Sequence, residues 1–314
     1  MQKIKAWLER TDYRHFDIEV ASADASFRRY FRLSEAGESY ILMDASLEKA
    51  SLSPFVDITK RLLEVEVRAP KILAQNLEEG FLVLDDFGNT NYLDVLNDQN
   101  FKILYTKAME EILKMQKGDT TGLPLYDKAF LHFEMDLMKT WFLEQYVKLP
   151  LSREDEEIIE KALDAISEVV LSQPHGVFVH RDYHSRNIML TPEDEIGVID
   201  YQDAMNGAIT YDLVSLLKDL YIEYPPQEVE ALALSFRDML GLDADDATFL
   251  KWFDFMGLQR HIKVLGIFAR LYLRDGKDGY LKDLPLTLKY TLETARKYKE
   301  TQPLARLLER VVLP

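Results

Sequence analysis

His180-Arg181-Asp182-Tyr183-His184-Ser185-Arg186-Asn187 is followed downstream by the apolar run Gly197-Val198-Ile199, which closes on Asp200 and continues as Tyr201-Gln202-Asp203. An Asp five positions before an Asn, then a strand ending in a second Asp, is an arrangement suited to phosphoryl transfer. One carboxylate, Asp182, can orient an attacking hydroxyl and accept its proton. An amide oxygen (Asn187) and a second carboxylate (Asp200) are hard oxygen ligands of the kind that magnesium takes beside nucleotide phosphates. Two other readings use the same residues. Acidic residues after a strand also serve as plain turn formers. His180, Asp182 and His184 alternate and could form a zinc or manganese cluster for hydrolysis. That cluster leaves Asn187 and Asp200 unexplained.

Composition narrows the classes. With 314 residues the chain has ample length for two lobes, and 47% hydrophobic with 29% charged residues is ordinary for a globular protein. There is no cysteine, so disulfide and thiolate chemistry are excluded, which is compatible with a cytoplasmic location. Charges run through Met1 to Asp12, so no signal peptide is expected there, and no apolar run reaches the length of a membrane span. A net charge of −16 argues against nucleic-acid binding, which needs a basic footprint. A monomer with no nucleic-acid or membrane partner is expected.

Upstream, a short helix with apolar Ile4, Trp7 and Leu8 leads to an alternating strand at Asp17–Val20. Small residues from Ala21 to Ser26 separate it from Phe27-Arg28-Arg29-Tyr30-Phe31-Arg32-Leu33, and Tyr40-Ile41-Leu42-Met43 reads as the next strand. Strand, small-residue turn, strand is a shape whose backbone N–H groups can cover phosphates, here with Ser26 in the turn and Arg28 and Arg32 beside it. The turn has no glycine and no P-loop signature. Ser53-Pro54 is expected to start a helix through Phe55, Ile58 and Leu62. The buried strand Phe81–Leu84 then ends in Asp85-Asp86-Phe87-Gly88-Asn89, the best boundary in the chain, with sheet before it and almost all helix after.

Downstream, helices are expected over about 99–117, 126–148, 153–173, 226–240, 246–273 and 286–313. Thr210-Tyr211-Asp212 opens another, and Asp212 is expected to clamp the backbone of the catalytic loop. Gln259, Lys263, Gly266 and Arg270 recur at helical spacing and share one face. That face either meets solvent or lines a substrate site, with Gly266 permitting close approach.

The loop satisfies the signature H-R-D-L-x-x-x-N with Tyr183 in place of Leu, and Asp200-Tyr201-Gln202 stands where D-F-G would be. With Met43-Asp44-Ala45 and Tyr211 to Leu217, these stretches make the sequence resemble the aminoglycoside phosphotransferase and choline kinase branch of the kinase-like fold. Within it, the resemblance is nearest to bacterial anomeric sugar kinases of cell-wall recycling. It implies an α+β fold of two lobes: residues 1–86 as a small, mostly antiparallel sheet with one helix, and 87–314 as a larger helical lobe. It implies ATP and Mg2+ as cofactors and N-acetylmuramate or N-acetylglucosamine as acceptor, phosphorylated at the anomeric hydroxyl. Asp182 would be the catalytic base, and Asn187 and Asp200 the metal ligands. The backbone of Asp85 and Phe87 would meet adenine, with Ser26, Arg28 and Arg32 about the phosphates. His184, Gln202, Asp203, Gln259, Lys263 and Arg270 would face the sugar. One departure stands out: Met43 occupies the place of the phosphate-binding lysine, so either Arg28 or Arg32 takes its role or nucleotide binding is weak. Other small alcohols such as aminoglycosides or choline are the alternative acceptors, and a non-catalytic binding module is the alternative of another class.

Overall fold

The computed structural model describes residues 1–22 and 28–314. In chain order the elements are α1 (Gln2–Leu8), β1 (Asp17–Ser22), β2 (Arg29–Glu35), β3 (Glu38–Asp44), α2 (Leu52–Glu64), β4 (Ile72–Asn76), β5 (Phe81–Asp85), α3 (Tyr92–Val95) and α4 (Phe101–Met115). Then come α5 (Lys128–Leu137), a π-helical continuation (Met138–Val147), α6 (Arg153–Ser172), β6 (His175–Val179), β7 (Ile188–Leu190), β8 (Ile196–Val198) and β9 (Met205–Ala208). The chain ends with α7 (Tyr211–Leu217), α8 (Pro226–Leu240), α9 (Asp246–Asp275), α10 (Leu284–Lys297) and α11 (Gln302–Leu308). It divides into two compact units, Met1–Val95 with Arg186–Ala204, and Leu96–Ser185 with Met205–Pro314.

The first unit is built on an antiparallel sheet of order β1-β2-β3-β5-β4. Alternation along β2 and β3 sends Phe31, Leu33 and Leu42 to one face, where they pack with Phe81, Val83 and the α1 residues Ile4, Trp7 and Leu8. The ring of Trp7 lies 5.6 Å from that of Phe81. Besides α2, the unit holds α1 and the single-turn α3. α2 begins at Leu52 rather than at a Ser53 cap. Ser51 just before it spends its hydroxyl on the Glu48 carbonyl at 2.7 Å.

Residues 186–204 group with this sheet, although the expected division placed them in 87–314. The reason is local. The β7–β8 hairpin is stitched to the strands' connections by Val198 N–H to the Arg68 carbonyl (2.9 Å) and Leu190 N–H to the Thr90 carbonyl (2.9 Å). Arg68 also pairs with Glu193 and Glu195, and Gly197 lies against the ring of Phe87.

The second unit is helical, with a two-stranded β6–β9 ladder. α6 starts in a capping box: Ser152 Oγ accepts Asp155 N–H, and the Asp155 carboxylate accepts Ser152 N–H at 2.8 Å. α9, 30 residues long, buries nearly every side chain from Phe253 to Gly266. The single helix expected over 126–148 turns π-helical after Leu137, where α9 brings Gly266 against it. The helix expected over 286–313 breaks at Tyr298, which is extended, and Thr301 closes the break by donating to the Ala295 carbonyl at 2.9 Å.

Candidate active site

In the helical unit, the loop from His180 to Ser185 is held by side chains from α7 and the segment that follows it. Asp212, at the start of α7, accepts His180 N–H at 2.8 Å on one carboxylate oxygen and Arg181 N–H at 3.0 Å on the other. The clamp expected from the sequence is there. Asp219 does the same further along, accepting Ser185 N–H at 2.9 Å and Tyr221 N–H at 3.1 Å. The buried Tyr183 hydroxyl donates to the Ala108 carbonyl at 3.0 Å, and His180 Nδ1 accepts Asp182 N–H at 3.2 Å. These bonds hold Arg181 at φ +78°, a conformation costly for a side chain with a Cβ, on the order of 1–2 kcal/mol. Asp182 is the next residue.

Burial opposes ionisation of Asp182, but the positive charges of Lys263, Arg260 and Arg181 more than offset it and hold its carboxyl below the usual range. Burial has the opposite result at His184, whose imidazole is pushed down to about 4 and is neutral near pH 7. Burial also raises Asp212, to about 6, with the two N–H donors working against that rise.

Beneath Asp182 lies a buried polar cluster. Glu134 of α5 binds Arg181 (2.6 Å) and Lys263 (3.0 Å) through one oxygen, and its other oxygen accepts Gln259 Nε2 (3.2 Å) and the Tyr126 hydroxyl. Lys263 also reaches the Tyr211 hydroxyl at 3.0 Å. Gln259 and Lys263 are 0% and 6% exposed, so this helix face does not meet solvent. Gly266 is packed against α5 itself, since a Cβ there would lie 2.3 Å from the Leu137 carbonyl carbon. Its close approach serves helix packing. Arg270 lies half-buried two turns beyond Lys263, and no hydrogen bond joins it to this cluster among the described residues.

The first unit carries the other half of the motif. Asn187 Nδ2 donates to Asp200 Oδ2 at 3.3 Å, and Gln202 Nε2 donates to Asp200 Oδ1 at 2.8 Å. Asp200 is exposed and has φ +65°. Tyr201 anchors it: its ring stacks on Phe55 of α2 (5.1 Å) and its hydroxyl shares a 2.8 Å hydrogen bond with Thr59. Asn187 and Asp200 thus offer one amide and one carboxylate side by side. Two such protein ligands, with phosphate oxygens and water completing the shell, suit magnesium. No group of three or more His, Asp or Glu placed to hold a metal occurs among the described residues, which removes the hydrolytic-cluster reading of His180, Asp182 and His184. Asp203 is exposed just beyond.

Met43 is fully buried in β3. Arg28 is buried too, with Nε 3.2 Å from Ser51 Oγ and 3.7 Å from Glu48, at the approach to α2. Arg32 is engaged by the turn after β5: Nε donates to Asp86 at 2.6 Å and Nη2 to Asn89 at 2.8 Å. Asp85 pairs with Lys71 through its backbone N–H (3.1 Å), and the Phe87 ring sits under the Arg68 guanidinium at 5.6 Å. Ser26 lies outside the described residues.

Sequence reasoning missed Glu134, Arg260, Tyr126 and Asp219. Glu134 and Tyr126 sit on elements remote in sequence, and nothing in their spacing signals that they meet Lys263. Asp219 carried a faint signal, as an acidic residue closing an apolar helix.

Residues 17–245 match the family described as the phosphotransferase enzyme family. The N-acetylmuramate/N-acetylglucosamine kinase of Neisseria meningitidis serogroup B is 40% identical over 99% of this chain and 95% of its own length. The enzyme of the same name from Pseudomonas aeruginosa is 41% identical over 89% of this chain and 83% of its own. Among solved structures, the ADP-bound aminoglycoside phosphotransferase APH(2'')-Ib superposes with a TM-score of 0.64 at 16% identity, over 93% of this chain and 98% of that one. That likeness shows a protein-kinase-like α+β fold, with an antiparallel sheet in the N-terminal part and helices after it. From these matches and the ordered H-R-D loop, the chain belongs to the phosphotransferase enzyme family.

Proposed function

We propose that the chain is an ATP- and Mg2+-dependent kinase that phosphorylates the anomeric hydroxyl of N-acetylmuramate and N-acetylglucosamine, forming the sugar 1-phosphate. The observation that carries this is Asp182: a carboxylate kept ionised by buried cations, on a loop clamped from both sides, in a chain about as long as relatives named for these acceptors.

Asp182 orients the anomeric hydroxyl and accepts its proton as the oxygen attacks the γ-phosphorus and the bond to ADP breaks. Asn187 and Asp200 would hold Mg2+, which supplies charge neutralisation on the phosphates when bound. Arg28 stands in for the missing lysine, while Arg32 fixes the turn after β5 through Asp86 and Asn89. The Asp85 carbonyl and Phe87 N–H take adenine. Neutral His184 can both donate to and accept from a sugar hydroxyl, and Gln202 and Asp203 are each assigned a sugar hydroxyl as well. Gln259 and Lys263 keep Glu134 in place and Asp182 charged. Positioning supplies most of the acceleration.

We place the enzyme in the cytoplasm, where ATP is available, acting as a monomer. No helix among the described residues is long and apolar enough to cross a membrane. The test is ATP consumption against N-acetylmuramate, N-acetylglucosamine, glucose, kanamycin and choline, with and without a magnesium chelator. Turnover confined to the N-acetylated sugars and lost with the chelator is expected. Turnover of kanamycin or choline in their place would overturn the acceptor, and no turnover with ATP still bound would favour a binding module.

A further inference from the structure

Arg260 is 4% exposed, and its Nη1 has no hydrogen-bond partner among the described residues. The Asp182 charge acts on it, but no carboxylate is hydrogen-bonded to it among the described residues, and a buried guanidinium with an unsatisfied donor is costly. Buried carboxylates of the same unit are committed elsewhere. Glu134 is saturated by Arg181, Lys263, Gln259 and Tyr126. Both oxygens of Asp212 and both of Asp219 accept backbone N–H groups. Asp182 feels the Arg260 charge, as does His184, but Asp182 is needed for the acceptor hydroxyl and His184 is neutral. Arg260 and Lys263 are three residues apart on α9 and lie on one side of it, so the helix presents two buried cations beside the base, of which Glu134 meets one.

We propose that Arg260 is the specificity residue that receives the carboxylate of an acidic N-acetyl amino sugar. This rests on the function proposed above. The two acceptors named there differ by one carboxylate-bearing ether, and a guanidinium fork matches a carboxylate through two parallel N–H donors. A transferring phosphoryl group has related chemistry, but it is common to both acceptors. The two sources therefore separate by comparing the sugars.

The experiment is Arg260→Met, with kcat and KM measured for N-acetylmuramate and N-acetylglucosamine. Any effect through Asp182 is shared by the two sugars and divides out of their ratio. Expected is a fall of the N-acetylmuramate preference by at least about 10-fold, carried by KM, matching the loss of a charge-assisted hydrogen-bond pair. The melting temperature should change little, because replacing Arg260 removes no hydrogen bond among the described residues and Lys263 and Arg181 remain to hold Asp182 charged. Arg260→Lys should recover part of the preference, and it gives a second reading should the Met variant fold poorly. Equal losses on both sugars, or an unchanged ratio, would overturn the inference alone. A wild-type chain active on neither sugar would overturn the function and the inference together.

Discussion

The Asp212 carboxylate holds Arg181 in the left-handed region of backbone space, accepting its N–H at 3.0 Å while φ stands at +78°. The same carboxylate accepts His180 N–H, so the two peptides that precede Asp182 share one anchor. Asp212→Asn keeps one acceptor and turns an NH2 towards the other donor. The variant should lose about 1–3 kcal/mol of stability, the cost of an unsatisfied buried donor. Its kcat should fall about 100-fold through misplacement of Asp182. Urea unfolding and steady-state kinetics check the two effects separately.

Glu134 compensates both Arg181 and Lys263 from 3% exposure. Glu134→Gln leaves two buried cations facing a neutral amide, and a loss of about 3–5 kcal/mol is expected. Calorimetric unfolding reads it. A loss below about 1 kcal/mol, the level of an exposed pair, would show that the cluster is wet rather than buried.

Two glycines on α9 should respond oppositely to alanine. At Gly257 a Cβ meets nothing nearer than 3.6 Å, so Gly257→Ala should stabilise by about 0.5–1 kcal/mol through helix propensity. At Gly266 the added carbon lands 2.3 Å from Leu137 backbone, and overpacking of about 1–3 kcal/mol should outweigh that gain. Thermal melts of both variants decide it.

His184 has its pKa depressed from 6.5 to about 4 by burial. The folded state then binds fewer protons than the unfolded one between those values. The contribution is complete above the unfolded pKa and is lost as pH falls towards the folded one. Between neutral pH and about pH 5 the loss is about 2 kcal/mol. Asp212, raised to about 6, works the other way across part of the same range. The difference between wild type and His184→Gln isolates the histidine: wild type should lose about 2 kcal/mol more than the variant on acidification.

The candidate site could be picked out from sequence because phosphoryl transfer calls for particular atoms in a particular order. Asp182, Asn187 and Asp200 could be named from spacing, and Asp212 from its place opening α7. The sheet followed from alternation in β2, β3 and β5. The helix face of Gln259 and Lys263 was visible, but its surroundings were not. Its partners Glu134 and Tyr126 come from elements more than a hundred residues away, so local periodicity could not tell a buried cluster from a wet stripe. Gly266 was noticed for close approach, yet only the packing against Leu137 shows what approaches. Arg32 was singled out for its guanidinium fork, and its hydrogen bonds to Asp86 and Asn89 could not be read from spacing.

The most direct test is phosphorus NMR of the product formed from ATP, magnesium and N-acetylmuramate by the wild-type chain and by Asp182→Ala. The account expects a phosphate coupled to the anomeric proton with wild type, and a loss of at least about 1,000-fold in rate with the variant, since base and positioning vanish together. A phosphate on any other hydroxyl, or a variant as active as wild type, would contradict it.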